Sequence, residues 1–195
     1  AEPLFRSASG YKFIVSDFSA VEARALSYLA GEQWRIDVFH NGRDIYCESA
    51  ARMFGVPVEK HGVNGHLRQK GKIAELALGY GGSIGALKAM GALEMGLKED
   101  ELPDLISTWR EANPAIVQYW WDVDRAATET FKDGQDRQGG KIGFQYSAGI
   151  LWLVLPSGRR LAYIAPQMRP NRFGRQSLTY MGVDSANKWS RIETS

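Results

Sequence analysis

The chain opens on an apolar, β-favouring run, Phe13, Ile14 and Val15, that stops at Asp17. From Ala20 onward the period changes: Val21, Ala25, Leu26 and Leu29 recur at the spacing of a helix face. A strand running into a helix is predicted here, with one carboxylate at the joint and a second, Glu22, five residues on. A short second helix is predicted around WRIDVFHNG. A third is predicted over DIYCESAARMFGVP, started by Asp44 and stopped by Gly55 and Pro57. A polar, glycine-bearing loop, EKHGVNGH, leads into a helix that runs to about Leu78. That helix breaks at the glycines of GYGGSIG and resumes from Ser83, and an acidic helix pair interrupted at Pro114 follows. After DGQDRQGG the texture changes to short strands with turns: KIGFQYSAG, ILWLVLPSGRRLAYIAP and QSLTYMGV…KWSRIE. The pattern sums to α+β, a helical middle inserted between a strand–helix start and a strand-rich end.

A length of 195 residues suits one good-sized domain, or one domain carrying an insertion. An apolar share of 44% with 24% charged residues is ordinary for a soluble globular protein. The longest apolar stretch, AGILWLVLP, is far too short to span a bilayer. The amino terminus, AEPLFRSASG, lacks the basic-then-apolar order of a signal peptide. Cys47 is the single cysteine, which excludes an intramolecular disulfide and a cysteine zinc cluster, and three scattered histidines do not make up a zinc site. A reducing cytoplasm is the expected compartment. The net charge of +2 is unremarkable, but its distribution is not. From Arg137 to Val183 there are seven Lys or Arg and no Asp or Glu, whereas Glu99 to Asp136 carries ten acids against three bases. Such a block is commonly a solvated face. A basic, strand-rich segment is also the electrostatic footprint of a protein that holds phosphates.

Two clusters of residues are candidates for chemistry. Around the first joint, Ser19 with Glu22 three residues later fits a capping box, and Asp17 fits a turn residue near the new helix's positive end. Further on, Arg68, Lys72, Leu76 and Tyr80 lie four apart, so they rise along one side of a helix, drifting by about 40° per step. Two cations, one apolar residue and a phenol make a poor core face. They suit a ligand with a polyphosphate at one end and a flat base at the other. Arg offers a forked grip on phosphate, Lys a compact point charge, and Leu76 and Tyr80 a surface for base and sugar. The plainer reading is a solvated helix face. The glycines of GYGGSIG match neither GxxxxGK[ST] nor a Rossmann turn.

Together the two clusters become specific. DFSAVEAR resembles motif A of the family A DNA polymerases, the bacterial DNA polymerase I type, with its pattern Asp-aromatic-Ser-x-x-Glu-x-Arg. RQKGKIAELALGYG resembles motif B of the same family, Arg-x-x-x-Lys-x-x-x-Phe-Gly-x-x-Tyr-Gly. DIYCESAARMFGVP and LPSGRRLAYIAP also look like family segments, in the expected order, and the flavour is that of phage or prophage polymerases. The resemblance covers nearly all of the chain. It implies a partial palm of antiparallel strands plus helices with an inserted helical fingers subdomain. Residues 1–43 would be the first part of the palm with motif A, 44–125 the fingers with motif B, and 126–195 a second, incomplete part of the palm.

The function this implies is template-directed DNA synthesis, with nucleotidyl transfer from deoxynucleoside triphosphates to a primer 3′-hydroxyl by a two-metal mechanism using Mg²⁺. Asp17 would be one of two metal-holding carboxylates, aided by the backbone carbonyl of Phe18. Glu22 would close the space a 2′-hydroxyl needs, hydrogen-bonded to Tyr80. Arg68 would grip the triphosphate tail, and Lys72 would contact the α-phosphate and protonate the leaving pyrophosphate. Tyr80 and Gly81 would sit beneath the template base and nascent pair, while Arg24, Arg159 and Arg160 would hold the DNA backbone. The implied partners are primer-template DNA, deoxynucleoside triphosphates and the remainder of a polymerase chain, in the cytoplasm of a bacterial or phage-infected cell and away from any membrane. The sequence departs from the family at Leu76 and Ala77, where Phe and Gly are usual, at Tyr46, where His is usual, and at Ala20, where Gln is common. Motif C, the His-Asp-Glu turn that supplies the second carboxylate, has no match in these residues. The expectation is a palm–fingers piece that is inactive by itself. The alternative is a non-catalytic nucleotide- or DNA-binding module derived from the same fold. A single-subunit RNA polymerase relative fits worse, because Glu22 occupies a gate that excludes ribose.

Overall fold

The computed structural model describes residues 6–171, 174–184 and 186–193. The first five residues of AEPLFRSASG and Arg172 of the basic block lie outside them. Seven α-helices precede six strands: α1 Val21–Ala30, α2 Gln33–His40, α3 Ile45–Phe54, α4 Leu67–Leu78, α5 Ile84–Ala89, α6 Leu102–Ala112 and α7 Pro114–Asp133, then β1 Arg137–Gly139, β2 Ile142–Ser147, β3 Ile150–Val154, β4 Arg160–Pro170, β5 Gln176–Val183 and β6 Trp189–Glu193. The strands form one antiparallel sheet in sequence order, with an irregular register in β4 between Ile164 and Gln167. The class is α+β, as the patterning indicates.

The helix boundaries follow local chemistry. Asp44 caps α3, its Oδ1 accepting the amides of Tyr46 at 2.9 Å and Cys47 at 3.4 Å. Proline stands in the first turn of both α6 and α7, where a missing N–H costs nothing. Gly71 lets α3 and α4 approach closely, since a Cβ there would collide with the Tyr46 carbonyl oxygen and crowd Ala50.

Two apolar clusters make the core. The helical one gathers Ile73, Ala74, Ala77 and Leu78 of α4 around Leu87, Leu102 and Trp109. The second joins Ala126 of α7 to Ile142, Phe144, Leu151 and Leu178 of the sheet. α7 links them, turning Trp120 to the helical core and Tyr119, Val123 and Phe131 to the sheet.

Inside the helical core sits a charged network that the apolar pattern does not announce. Arg35 of α2 is fully buried, and its guanidinium makes a two-pronged pair with the Glu75 carboxylate of α4. It also donates to Ser27 Oγ of α1 and to Asn113 Oδ1, each at 2.9 Å. The Trp109 indole donates to Glu75 Oε1 at 3.0 Å, and Asn113 Nδ2 donates to the Trp109 carbonyl at 2.7 Å. Nearby, the buried Glu32 carboxylate accepts the amides of Ala115 (2.9 Å) and Ile116 (3.3 Å), so it caps α7 from a distant part of the chain.

Two expectations about elements are corrected. Phe13, Ile14 and Val15 form no strand and stand 62%, 88% and 88% exposed. Strand preference is a preference for a paired, half-buried surface. The six strands pair only with one another among the described residues, which leaves this run without a ladder. Among the described residues the order is therefore all helices, then all strands, with no opening strand before the helices. Conversely, β1 lies within DGQDRQGG, a polar stretch that reads as a loop but pairs with β2 beside α7.

Replacing Glu75 by Gln is expected to destabilise the fold by about 3–5 kcal/mol, because it leaves the Arg35 charge buried and unpaired. The double variant Arg35→Met/Glu75→Leu is expected to recover most of that loss. Urea unfolding of the three proteins measures both numbers, and a Glu75→Gln cost near zero contradicts the buried pair.

Candidate functional site

α4 has two faces. Gly71, Ile73, Ala74, Glu75, Ala77 and Leu78 are buried, while Arg68, Lys72 and Leu76 are half-buried along the other side. Tyr80, one turn beyond Leu76, is 69% exposed at the break that follows α4. The four stripe residues therefore share one accessible side. Gly81 follows with φ +76°, a left-handed turn that lets the chain leave the helix axis and start α5.

The two cations differ. Arg68 Nε donates to Asp44 Oδ2 at 2.8 Å, and its guanidinium carbon lies 5.2 Å from the centre of the Tyr46 ring. One Asp44 oxygen thus caps α3 while the other holds Arg68. Burial first, and then the negative charges of Glu75 and Asp44, raise the Tyr46 phenol pKa; Arg68 opposes them. Lys72 has no hydrogen-bond or ion-pair partner among the described residues.

At the start of α1 the capping box does not form. Ala20, not Ser19, is the N-cap, in a left-handed conformation at φ 50°, and no side chain caps the helix. That backbone turn directs Glu22 elsewhere. The Tyr80 phenol pKa is raised, by partial desolvation first and then by the charge of Glu22 and a hydrogen bond to it. Asp17 lies three residues before the cap in extended, exposed chain, with Oδ1 accepting the Phe18 amide at 2.8 Å. Phe18 is 82% exposed. Arg24 is already engaged, with Nε on the Ser19 carbonyl at 2.9 Å and its guanidinium 4.4 Å above the Phe39 ring. Arg159 and Arg160 are exposed in the turn into β4, on the sheet rather than on α4.

Beside Tyr80 a groove of about 950 Å³ opens between the glycine turn, α7 and the sheet. Tyr80, Gly81, Trp120 and Trp121 line its walls, and Phe144 and Leu151 its floor. Arg110 lines it too, donating Nη2 to the Gly82 carbonyl at 3.2 Å.

For a metal, Asp17 and the Phe18 carbonyl offer oxygen donors only, which suits a hard cation such as Mg²⁺. They are a partial set. Among the described residues no group of three or more His, Cys, Asp or Glu is placed to hold a metal ion. Asp184 is occupied as a turn acceptor for the Ala186 and Lys188 amides and the Ser190 hydroxyl, which hold its carboxyl below the usual range.

Sequence reading missed Asp44 as the partner of Arg68, and it missed the Arg35–Glu75 network. Glu75 did leave a signal. It lies four residues after Gly71 and three before Leu78, on the small and apolar face of its helix, where an acid requires a buried partner.

Comparison with known proteins adds the following. DNA polymerase family A matches residues 2–133. The DNA polymerase of Bacillus phage SP02 is 52% identical over 193 residues, covering 97% of this chain and 30% of that protein. DNA polymerase I of Rhizobium leguminosarum is 34% identical over 115 residues, covering 59% of this chain and 11% of its own length. A solved structure of the POL domain of Pol1 from M. smegmatis, in complex with DNA primer-template and dNTP, aligns with a TM-score of 0.49 and 22% identity over 75% of this chain and 21% of that one. The chain thus spans under a third of the length of these relatives. Among the described residues no helix is long and apolar enough to cross a membrane.

Glu22→Gln is expected to lower the Tyr80 pKa part of the way back towards 10, since a neighbouring carboxylate disfavours tyrosinate and the desolvation remains. The Tyr80 ring resonances followed by NMR through alkaline pH report the shift. An unchanged midpoint places Glu22 away from the phenol.

Proposed function

The chain belongs to DNA polymerase family A, and on that premise we propose that it carries the nucleotide-binding half of a DNA-synthesising active site. In this reading residues 1–43 and 126–195 are two parts of a palm, and residues 44–125 are the fingers. The reaction is attack of a primer 3′-hydroxyl on the α-phosphate of a deoxynucleoside triphosphate, directed by a template and releasing pyrophosphate. The single observation that carries it is the stripe of α4: Arg68, Lys72 and Leu76 share one accessible side that ends at Tyr80, whose phenol pKa is raised by desolvation and then by the carboxylate of Glu22 in α1.

Each residue has a task that its setting supports. Lys72, half-buried and unpaired among the described residues, holds the α-phosphate and gives a proton to the leaving pyrophosphate. Arg68 grips the triphosphate tail, exchanging the Asp44 carboxylate for phosphate oxygens. Until then Asp44 keeps the guanidinium extended along the helix, which lowers the ordering cost on binding. Leu76 and Tyr80 support the incoming base and sugar, and Glu22, braced against Tyr80, fills the space a 2′-hydroxyl would need. Tyr80 and Gly81 sit beneath the template base. Arg24, Arg159 and Arg160 hold the DNA backbone.

Asp17 and the Phe18 carbonyl would hold Mg²⁺. When bound, that ion supplies charge neutralisation at the transferred phosphoryl group and lowers the pKa of the attacking hydroxyl. The chain covers 30% of the phage SP02 polymerase, and in this reading the second metal carboxylate and the thumb would come from the rest of such a polymerase, so these residues alone are not expected to extend a primer. The exposed run Phe13–Val15 is in no strand here, and its β-favouring side chains would suit pairing with a further part of the palm.

In a complete polymerase containing this segment, Lys72→Ala is expected to lower the maximal incorporation rate by about 10²- to 10⁴-fold with a smaller change in nucleotide affinity. Arg68→Ala is expected to weaken nucleotide binding as well. Single-turnover primer extension over a range of deoxynucleotide concentrations separates the two. If both substitutions change only DNA affinity, α4 faces the duplex and the assignment fails.

A further inference from the structure

The six-stranded sheet begins past residue 133, where the family match ends, and only one of its faces is used by the helices. α7 packs on β1, β2 and β3 through the face that carries Phe144, Leu151 and Leu178. The opposite face is also apolar, and it has an order. Trp152 of β3 pairs with Ala162 of β4, and Val183 of β5 pairs with Trp189 of β6. The Ile164–Met181 pairing, carried two residues along, sets Ala162 against Val183. One row across four strands therefore reads Trp152, Ala162, Val183, Trp189. Two indoles stand about 14 Å apart, three strand spacings, over a floor of small side chains. Trp152 is half-buried and Trp189 is 58% exposed.

Cations flank the row. Arg160 lies opposite Val154 in the next row on one side. Arg191 lies opposite Met181 on the other, anchored through Nη1 to the Ala165 carbonyl and Thr179 Oγ1. Asp and Glu are absent from Arg137 to Val183, and the acids at the borders of this face are Asp136, whose Oδ2 accepts from the Gln145 amide beside Trp152 at 2.7 Å, and Glu193, at the far end of β6 opposite Thr179. Flat rings separated by small residues and bordered by arginines are the makings of a base-stacking platform with a phosphate border. Bases stacked inside a duplex offer no free faces to such rings, so the fitting ligand is unpaired.

We propose that this outer sheet face binds single-stranded DNA, with bases stacking on Trp152 and Trp189 and phosphates resting against Arg160 and Arg191. The site extends the proposed action on DNA and rests on that reading. It would hold a strand away from the α4 stripe, on the segment that carries the basic block.

The test is fluorescence anisotropy of the whole 195-residue chain with a labelled oligothymidylate of about twelve nucleotides, and separately with a primer-template duplex. Trp189→Ala and Trp152→Leu are each expected to weaken oligothymidylate binding by about five-fold or more, whereas Trp→Phe at either place keeps most of it. Arg160→Ala is expected to reduce the steepness of the salt dependence. Far-ultraviolet dichroism and thermal melts establish that the variants fold, and the Phe variants serve where Trp152→Leu does not. Unchanged oligothymidylate binding by folded Trp189→Ala overturns the proposal and marks the row as a protein-packing face. If the chain binds primer-template but not oligothymidylate, this site alone is overturned. If it binds neither, the action on DNA falls with it.

Discussion

The Arg35–Glu75 pair is the constraint on which the helical half of this protein depends. A guanidinium and a carboxylate in an apolar core lose most of their hydration, and only complete hydrogen bonding offsets that loss. Here the compensation draws on α1 through Ser27, α4 through Glu75, α6 through Trp109 and the start of α7 through Asn113. Any slip of one helix against another breaks a charged hydrogen bond rather than a replaceable apolar contact. The network thus sets the register of α4, and Glu32, capping α7 beside it, sets where the long helix begins.

What α4 shows to solvent follows from that register. With Glu75 drawn inward, Lys72 and Leu76 are left on the accessible side, and Tyr80 leaves the helix end within reach of Glu22. The same buried network includes Ser27, about one and a half turns along α1 from Glu22, so the Glu22 charge that acts on Tyr80 comes from an element already held to the core that carries α4. In the proposed reading this contact gates the sugar; a gate that discriminates a single oxygen atom must be rigid, and a buried lock behind it would supply that rigidity.

Most of the helices were legible because their limits are local events. Asp44, Pro114 and the glycines after Leu78 act on backbone amides within a turn, and the stripe is a matter of counting by four. What was not legible depends on distant parts of the chain. Phe13–Val15 has strand chemistry but no ladder, a fact about its neighbours. Ser19 and Glu22 have the spacing of a capping box, yet Ala20 in a left-handed turn is the N-cap, and the Glu22 carboxylate acts instead on Tyr80, fifty-eight residues on. Arg35 looks like one more cation on a short polar helix, and only the fold reveals that it is fully buried. The Asp44–Arg68 pair crosses 24 residues and likewise has no local signature.

The most direct measurement is heteronuclear NMR of the 195-residue chain titrated with a deoxynucleoside triphosphate in the presence of Mg²⁺. If α4 is the nucleotide face, the largest shift changes gather at Arg68, Lys72, Leu76 and Tyr80, with Asp44 responding as its pair with Arg68 opens, while the buried Arg35 guanidinium stays put. Shift changes confined to the sheet, or none at nucleotide concentrations well above those a polymerase uses, would contradict it.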